Sequence, residues 1–279
     1  MKIAIIGNGY VGKATQFLFT QSNTEGLNNS DFLSDVLIYD KDEQKTKCSF
    51  EECLEADLFF VCVPTPMRRC GSCDLSYVED VIYKLTLNGV QSHQIILRST
   101  VPVGTCDRFE INFFPEFLTE ANWQEDIEST EDWIIGMPNS SYGLKTILPK
   151  ILTGRIHFCL NKEAELVKYV RNCFLATKVS FFNEINNFCE KNRVNYESAR
   201  KLITLDPRID ESHTLVPGPD GKKGFGGTCF PKDMHSFKFQ MQFTETPSLI
   251  IKAAINRNEL IDRPEKDWFQ NKGRAVSDE

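Results

Sequence analysis

Nowhere in the 279 residues does an apolar run approach the ~18 residues that a membrane span needs. Positive charge is in short supply too. Against 39 Asp and Glu stand 32 Lys and Arg, a formal net charge of -7 that offers no basic surface for nucleic acid. An anionic small ligand would therefore be met by local lysines and arginines rather than by the overall field. The ten cysteines show no disulfide-framework spacing, and a chain of this size needs no covalent staples. Cys70-Gly71-Ser72-Cys73 has the form of a CxxC, but it lacks a partner pair and reads as a turn, so no metal site is expected. Unpaired thiols throughout imply a reducing, cytoplasmic compartment. The chain opens directly on a strand-like run, so no signal peptide is expected. What remains is an ordinary globular composition, 41% hydrophobic and 25% charged, with length for one large or two modest domains.

That opening run, Met1–Ile6, leads into Gly7-Asn8-Gly9-Tyr10-Val11-Gly12 and then into a helix-like segment, Lys13–Gln21. In such a strand–turn–helix, Gly7 makes the tight turn, Gly9 admits a pyrophosphate to the backbone, and Gly12 lets helix and strand pack closely. The helix N-terminus faces the phosphate charge. A second apolar run, Val36–Tyr39, ends in Asp40, an acid placed to accept hydrogen bonds from a ribose, which favours NAD over a 2′-phosphorylated cofactor. Asp40 lies further from the glycines than the usual ~20 residues. The polar stretch Ser22–Asp35 accounts for the excess as a loop.

Strand and helix patterns then alternate. Asp57–Val63 reads as a buried strand ending at Pro64-Thr65-Pro66, Leu75–Leu87 as a helix, and Gln94–Leu97 as a strand before Arg98-Ser99-Thr100. Asp132–Met137 and Arg155–Phe158 read as later strands. The order predicts an α/β fold: an N-terminal Rossmann-type, doubly wound parallel sheet over residues 1–160, with ligands at the carboxyl ends of its strands. Those ends carry Gly7, Asp40, Pro64 and Thr100.

From Asn161 the pattern changes to a mostly helical domain, residues 161–262, built around one long helix to about Lys191. Asn161 is its expected cap, and Ala164, Val167, Val170, Phe174, Leu175, Val179, Phe182 and Ile185 its expected apolar face. Roughly 30 residues give about 45 Å of helix, a length that often connects domains or packs across a dimer. Lys168 and Asn172 share one face, about 6 Å apart along the axis; spacing alone reads them as a solvated lysine and a neutral asparagine. Residues 263–279 read as a polar, frayed tail.

Lys223–Asp233, KGFGGTCFPKD, is the densest stretch. Three glycines bring the backbone close to something, and Phe230-Pro231-Lys232-Asp233 reads as the first turn of a helix. Cys229 then lies just ahead of a helix N-terminus, where amides and the dipole favour a thiolate. A buried cysteine beside a glycine-rich turn is the competing reading.

Seven ordered motifs decide between these readings. GNGYVG at Gly7–Gly12, VPTP at Val63–Pro66, STVPVGT at Ser99–Thr105 and PEFLTE at Pro115–Glu120 are followed by KYVRNCFLATKVSFFNE at Lys168–Glu184, DPRI at Asp206–Ile209 and GFGGTCFPKD at Gly224–Asp233. Together they resemble the UDP-glucose/GDP-mannose dehydrogenase family, in particular its UDP-glucose 6-dehydrogenase branch. The resemblance implies NAD-dependent, four-electron oxidation of a nucleotide-sugar alcohol to a carboxylate through a cysteine thioester. It assigns the nucleophile to Cys229, the oxyanion-binding pair to Lys168 and Asn172, acid–base work to Glu116, and positioning of water to Asp233. Thr100 is carried as both a catalytic and a cofactor position. The implied NAD contacts are Gly7, Asn8, Gly9, Tyr10, Val11, Gly12, Asp40, Lys45, Thr65, Thr100, Glu120 and Lys232. Substrate contacts implied are Phe117, Leu118, Glu120, Lys168, Asn172, Arg208, the Gly218–Lys222 backbone and Gly226. In the family the arginine matching Arg208 can cross a dimer interface, so the implied partners are a nucleotide sugar and a second copy of the chain, with no nucleic acid and no membrane.

Departures from the family pattern stand beside the matches. Phe114 replaces the asparagine usual before PEF, Asp210 replaces the glycine after DPRI, and the segment after Glu120 is only loosely similar. The 279 residues are expected to lack the family's C-terminal nucleotide-binding domain. GDP-mannose and UDP-N-acetyl sugars therefore remain alternative substrates, and an NAD- or nucleotide-sugar-binding protein without full turnover remains an alternative function.

Overall fold

The computed structural model describes residues 1–20, 33, 35–120, 122–138 and 142–277. The expected loop after the first helix falls mainly outside them. Two compact units emerge: residues 1–65 with 75–168, and residues 66–74 with 169–279. The division falls after Lys168, inside the long helix, rather than at its start.

In the first unit, strands β1 (Lys2–Ile6), β2 (Asp35–Tyr39), β3 (Leu58–Val61), β4 (Ile95–Leu97), β5 (Asn112–Phe113), β6 (Asp132–Met137) and β7 (Arg155–Leu160) form one sheet. Their order is β2-β1-β3-β4-β5-β6-β7, parallel throughout except between β5 and β6. Continuous apolar runs make these strands because both faces are covered. Ile3 and Ile5 enter one core with Leu58 and Phe60; Ala4 and Ile6 enter the other with Phe59 and Val61. Helices α1 (Tyr10–Thr20), α2 (Phe50–Cys53), α3 (Ser76–Leu87), α4 (Thr105–Phe109), α5 (Trp123–Glu128) and α6 (Tyr142–Ile147) connect them. In the register, Ile6 pairs with both Tyr39 and Val61, so Gly7, Asp40 and Cys62 leave the sheet side by side. That is the carboxyl edge on which the sequence placed its ligand residues.

The long helix α7 runs from Asn161 to Asn192, 32 residues. Of its expected apolar face, Ala164 and Phe182 are buried and Val167, Leu175, Val179 and Ile185 half-buried, but two members are not. Val170 and Phe174 are 46% and 65% exposed, while Lys168, Asn172, Ser180, Asn183 and Asn186 are buried. A polar row goes inside because each member finds a partner there. Ser180 Oγ donates to the Ala254 carbonyl, Asn183 Oδ1 accepts from Gly224 N–H, and Asn186 Nδ2 donates to Glu190. Nor does Asn161 act as the cap: its Nδ2 donates to Asp107 Oδ1 and the Ile111 carbonyl, while Glu163 accepts from Leu160 N–H.

The second unit adds α8 (Tyr196–Ile203), α9 (Phe230–Phe243) and α10 (Leu249–Arg257) around Cys173, Ala176, Phe225, Met234, Ala254 and Ile255. The segment expected to fray is instead packed through residue 277. Trp268, Ala275 and Val276 bury themselves with Met67, and Val276 forms a β-bridge to Met67. A few apolar residues hidden among polar ones supply that anchorage, and composition averages them away.

Candidate active site

The phosphate-binding turn has the geometry its glycines predict. Gly7 adopts φ +98°, a conformation L-residues with side chains rarely hold, and its N–H donates to the Tyr39 carbonyl. A Cβ on Gly12 would overlap the Gly7 carbonyl oxygen, so only glycine lets α1 close onto β1. A Cβ on Gly9 would meet nothing within 4 Å, leaving open space where a ligand's phosphates can approach the backbone. Asp40 Oδ2 accepts the Asn8 N–H at 2.6 Å and Oδ1 the Asp42 N–H at 2.9 Å, which fixes the carboxylate at the end of β2. Asn8 is buried; its Nδ2 donates to the Lys45 carbonyl, and its Oδ1 has no partner among the described residues. These residues fit a dinucleotide: a glycine cradle, a helix N-terminus without acidic residues in its first turn, and a braced ribose acceptor.

Other expected cofactor residues behave unevenly. Thr65 Oγ1 donates to the Thr100 carbonyl at 2.8 Å, joining the ends of two neighbouring strand-to-loop connections. Val11 packs half-buried on the core, Lys45 pairs with Asp42 at 2.7 Å, and Glu120 is exposed. Tyr10, carried as a cofactor contact, sends its hydroxyl to Glu116 Oε1 at 3.1 Å.

Glu116 is the centre of a buried network in the first unit. Lys168 Nζ donates to its Oε1 at 2.9 Å and to its carbonyl at 2.6 Å, and Leu118 N–H donates to Oε2 at 2.8 Å. Burial pushes the carboxyl upward, but the Lys168 charge and hydrogen bond, with Leu118 N–H and the Tyr10 hydroxyl, hold it below the ordinary carboxylate range. Phe117 presents its ring 5.6 Å from the same ammonium. Two neighbours escaped the sequence reading. Arg98 is 2% exposed, stacks its guanidinium over Phe114 at 4.2 Å, and leaves Nε and Nη1 without partners among the described residues. Cys62 has its thiol pushed up to about 11 by burial. Only the apolar context after β4 and β3 hinted that these side chains would turn inward.

In the second unit Cys229 occupies the N-cap of α9, with Pro231 in the first turn and Asp233 N–H donating to the Cys229 carbonyl. Helix formation from Phe230 is what presents the thiol at an N-terminus. Asp233, 1% exposed, accepts Asn172 Nδ2 at 2.6 Å on one oxygen and Lys232 Nζ at 2.6 Å on the other. Burial pulls the Lys232 ammonium down, yet Asp233 and Cys229 together hold it above the ordinary lysine value. Asn172, Lys232 and Asp233 thus form one hydrogen-bonded group at the start of the cysteine's helix. Arg208 stands apart: it is exposed and chelates Asp206 through Nε and Nη2. The Gly218–Lys222 loop closes on itself through Gly218 N–H to the Lys222 carbonyl at 2.8 Å.

Sequence comparison places this geometry in context. The NAD binding domain of the UDP-glucose/GDP-mannose dehydrogenase family matches residues 33–152, and the family's central domain matches residues 162–260. The UDP-glucose 6-dehydrogenase of Rickettsia prowazekii (strain Madrid E) is 31% identical over 296 residues, covering 93% of this chain and 67% of the relative. That of Rhizobium meliloti (strain 1021) is 30% identical, covering 93% and 68%. The chain belongs to the UDP-glucose/GDP-mannose dehydrogenase family. It is an NAD-dependent oxidoreductase acting on CH–OH, and NAD is its cofactor. A solved UDP-glucose dehydrogenase from the hyperthermophilic archaeon Pyrobaculum islandicum superposes with TM-score 0.78 at 25% identity, covering 92% of this chain and 68% of that one. The UDP-D-ManNAc dehydrogenase of Pyrococcus horikoshii shares the fold at TM-score 0.75 and 23% identity. This family member spans about two thirds of the length of those relatives. Among the described residues no helix is long and apolar enough to cross a membrane.

Proposed function

We propose that this chain oxidises the primary alcohol of a nucleotide sugar to a carboxylate in two steps, with Cys229 as the covalent nucleophile and UDP-glucose as the substrate. NAD, when bound, accepts a hydride at its nicotinamide, and two molecules serve in succession. The observation that carries the reading is Cys229 at the N-cap of α9, with the Asn172–Asp233–Lys232 group formed around the same turn.

The residues have the chemistry for each stage. Loss of a hydride and a proton converts the alcohol to an aldehyde. The Cys229 thiolate, favoured at a helix N-terminus and by the Lys232 charge, adds to the carbonyl carbon. Lys168 and Asn172, one turn apart on α7, offer N–H donors to the negative oxygen that develops. Loss of the second hydride leaves a thioester. Glu116, held ionised beside Lys168, takes a proton from water as it attacks, and Asp233 orients that water. The carbon–sulfur bond then breaks, and the thiol and the carboxylate are released. Asp40 and the Gly7–Gly12 turn hold NAD. Arg208 and the Gly218–Lys222 and Gly226 backbone contribute to the sugar-nucleotide site.

A homodimer accompanies this reading. Leu166, Val170, Phe174, Phe181 and Phe188 are all exposed along α7, an apolar stripe that a second copy would cover. Ten free thiols support a cytoplasmic setting. The test is NADH formation from UDP-glucose, GDP-mannose and UDP-N-acetyl sugars with wild type and Cys229→Ser. Turnover with UDP-glucose, lost in the variant, is expected. NADH from GDP-mannose or a UDP-N-acetyl sugar in preference would reassign the substrate, and binding without NADH from any of them would reduce the chain to a ligand holder.

A further inference from the structure

The start of the segment that composition reads as a loose tail is among the best-held parts of the second unit. Arg263 is 3% exposed. Its Nε and Nη2 form a fork onto Asp267, both at 2.7 Å, and its Nη1 lies 2.7 Å from Asp220 Oδ2, within ion-pair distance though off the hydrogen-bonding direction. Asp220 belongs to the Gly218–Lys222 loop. Lys222, which closes that loop, reaches the same Asp267 at 2.6 Å. The guanidinium also sits against the second glycine loop: a Cβ on Gly226 would overlap Arg263 Cζ and stand 2.6 Å from Nη1 and Nη2. One residue before that glycine, Phe225 exchanges both backbone hydrogen bonds with the Asn258 side chain, and Asn258 in turn accepts Arg263 N–H at 2.7 Å.

These contacts explain Gly226. Unlike Gly224 and Gly227, it does not hold a positive φ. The glycine is required by close approach, and the group approaching is a guanidinium that two carboxylates pin in place. A flexible arginine tip would step aside for a methyl group; this one would have to abandon the Asp267 fork and a buried site.

We infer that Arg263 is a positioning residue for nucleotide-sugar recognition: its guanidinium locks the Gly218–Lys222 loop to the Gly224–Gly227 loop and sets where the Gly226 backbone stands. The inference rests on the proposed function insofar as those loops hold the sugar nucleotide; the locking itself is independent of it. Loop backbone is a precise ligand site only when something behind it is rigid, and the Arg263–Asp267–Asp220 group is that backing.

The experiment is a double-mutant cycle on the full chain: wild type, Arg263→Ala, Gly226→Ala and the combination, read by Tm and by KM for UDP-glucose and NAD. Arg263→Ala is expected to raise KM for UDP-glucose by about tenfold, with kcat and the NAD KM within about twofold. Gly226→Ala alone is expected to be worse, and the double variant no worse than Arg263→Ala, because the methyl group then has room. Arg263→Lys should not restore the KM, since an ammonium cannot reproduce the fork. If Arg263→Ala does not fold, Asp267→Asn loosens the same fork and must show the same KM-selective loss. Gly226→Ala costing the same Tm and KM in both backgrounds overturns the inference, as does a loss confined to kcat. Wild type that neither turns over nor binds any nucleotide sugar overturns the proposed function instead, and the Tm cycle still decides whether Arg263 and Gly226 are coupled.

Discussion

Each unit of this protein buries one carboxylate against a lysine, and the two pairs are built differently. Glu116 draws its cation from Lys168, 52 residues away, and adds the phenol of Tyr10 from a further segment and the amide of nearby Leu118. Asp233 takes its cation from the adjacent Lys232 and its other donor from Asn172. The first pair exists only once the sheet and the start of α7 have come together; the second is set by one turn of helix and a single long-range contact. In the proposed mechanism, the acid–base group, its charge fixed by distant elements, would be pre-set by the fold. The group tied to its own neighbour would be free to adjust as the cysteine beside it passes from thiolate to thioester.

Breaking the proposed nucleophile should separate the regions most widely. Cys229→Ser is expected to lower turnover by about 10³-fold or more, since the covalent route is gone, while Tm stays near wild type; steady-state NADH formation and thermal melting check it. The lysines come next. Lys168→Ala should lower kcat by about 10²–10³-fold as the proposed oxyanion donor is lost. It should also cost about 3–5 kcal/mol of stability, because Glu116 is left buried without its counter-charge, with only the neutral Leu118 N–H and Tyr10 hydroxyl as donors. Lys232→Ala should cost only about 1–3 kcal/mol, because the Lys232 side chain is 12% exposed against 3% for Lys168, so water can reach the oxygen it leaves. Equal losses in denaturant melts would erase the distinction between the pairs.

A smaller, pH-dependent effect follows from Glu116. Its folded value is depressed, so the stabilisation is complete above the ordinary carboxylate pKa of about 4.3 and is lost as pH falls through the folded value. The stability gap between wild type and Glu116→Gln should therefore be constant near neutrality and close on acidification. A gap that widens in acid would mean the carboxyl is neutral in the native state. Smallest is a labelling contrast. Cys62, with its thiol pushed up to about 11, should resist iodoacetamide at neutral pH, whereas the exposed Cys70, whose thiol the Ser72 hydroxyl lowers, should react first. Peptide mass spectrometry reads the order, with Cys229 between them by exposure.

The same contrast explains what the sequence made legible. Gly7, Gly9 and Gly12 could be read because each answers a backbone demand inside one strand–turn–helix, and continuous apolar runs marked the central strands. Local pattern likewise placed Cys229 at a helix start. On the buried face of α7, hydropathy finds Ala164 and Phe182 but misses Asn183 and Asn186, whose hydrogen bonds it does not register, and wrongly takes in Val170 and Phe174. Arg98, Arg263 and Trp268 were hidden for the same reason: partners far along the chain, or a packed aromatic ring, decide the burial of a charged or isolated side chain.

The most direct measurement counts NADH released per UDP-glucose consumed at completion, with mass spectrometry of the protein quenched during turnover. Two NADH per sugar and a sugar-nucleotide adduct on the peptide containing Cys229 are expected. One NADH per sugar, or an adduct on any other cysteine, would contradict the proposed function.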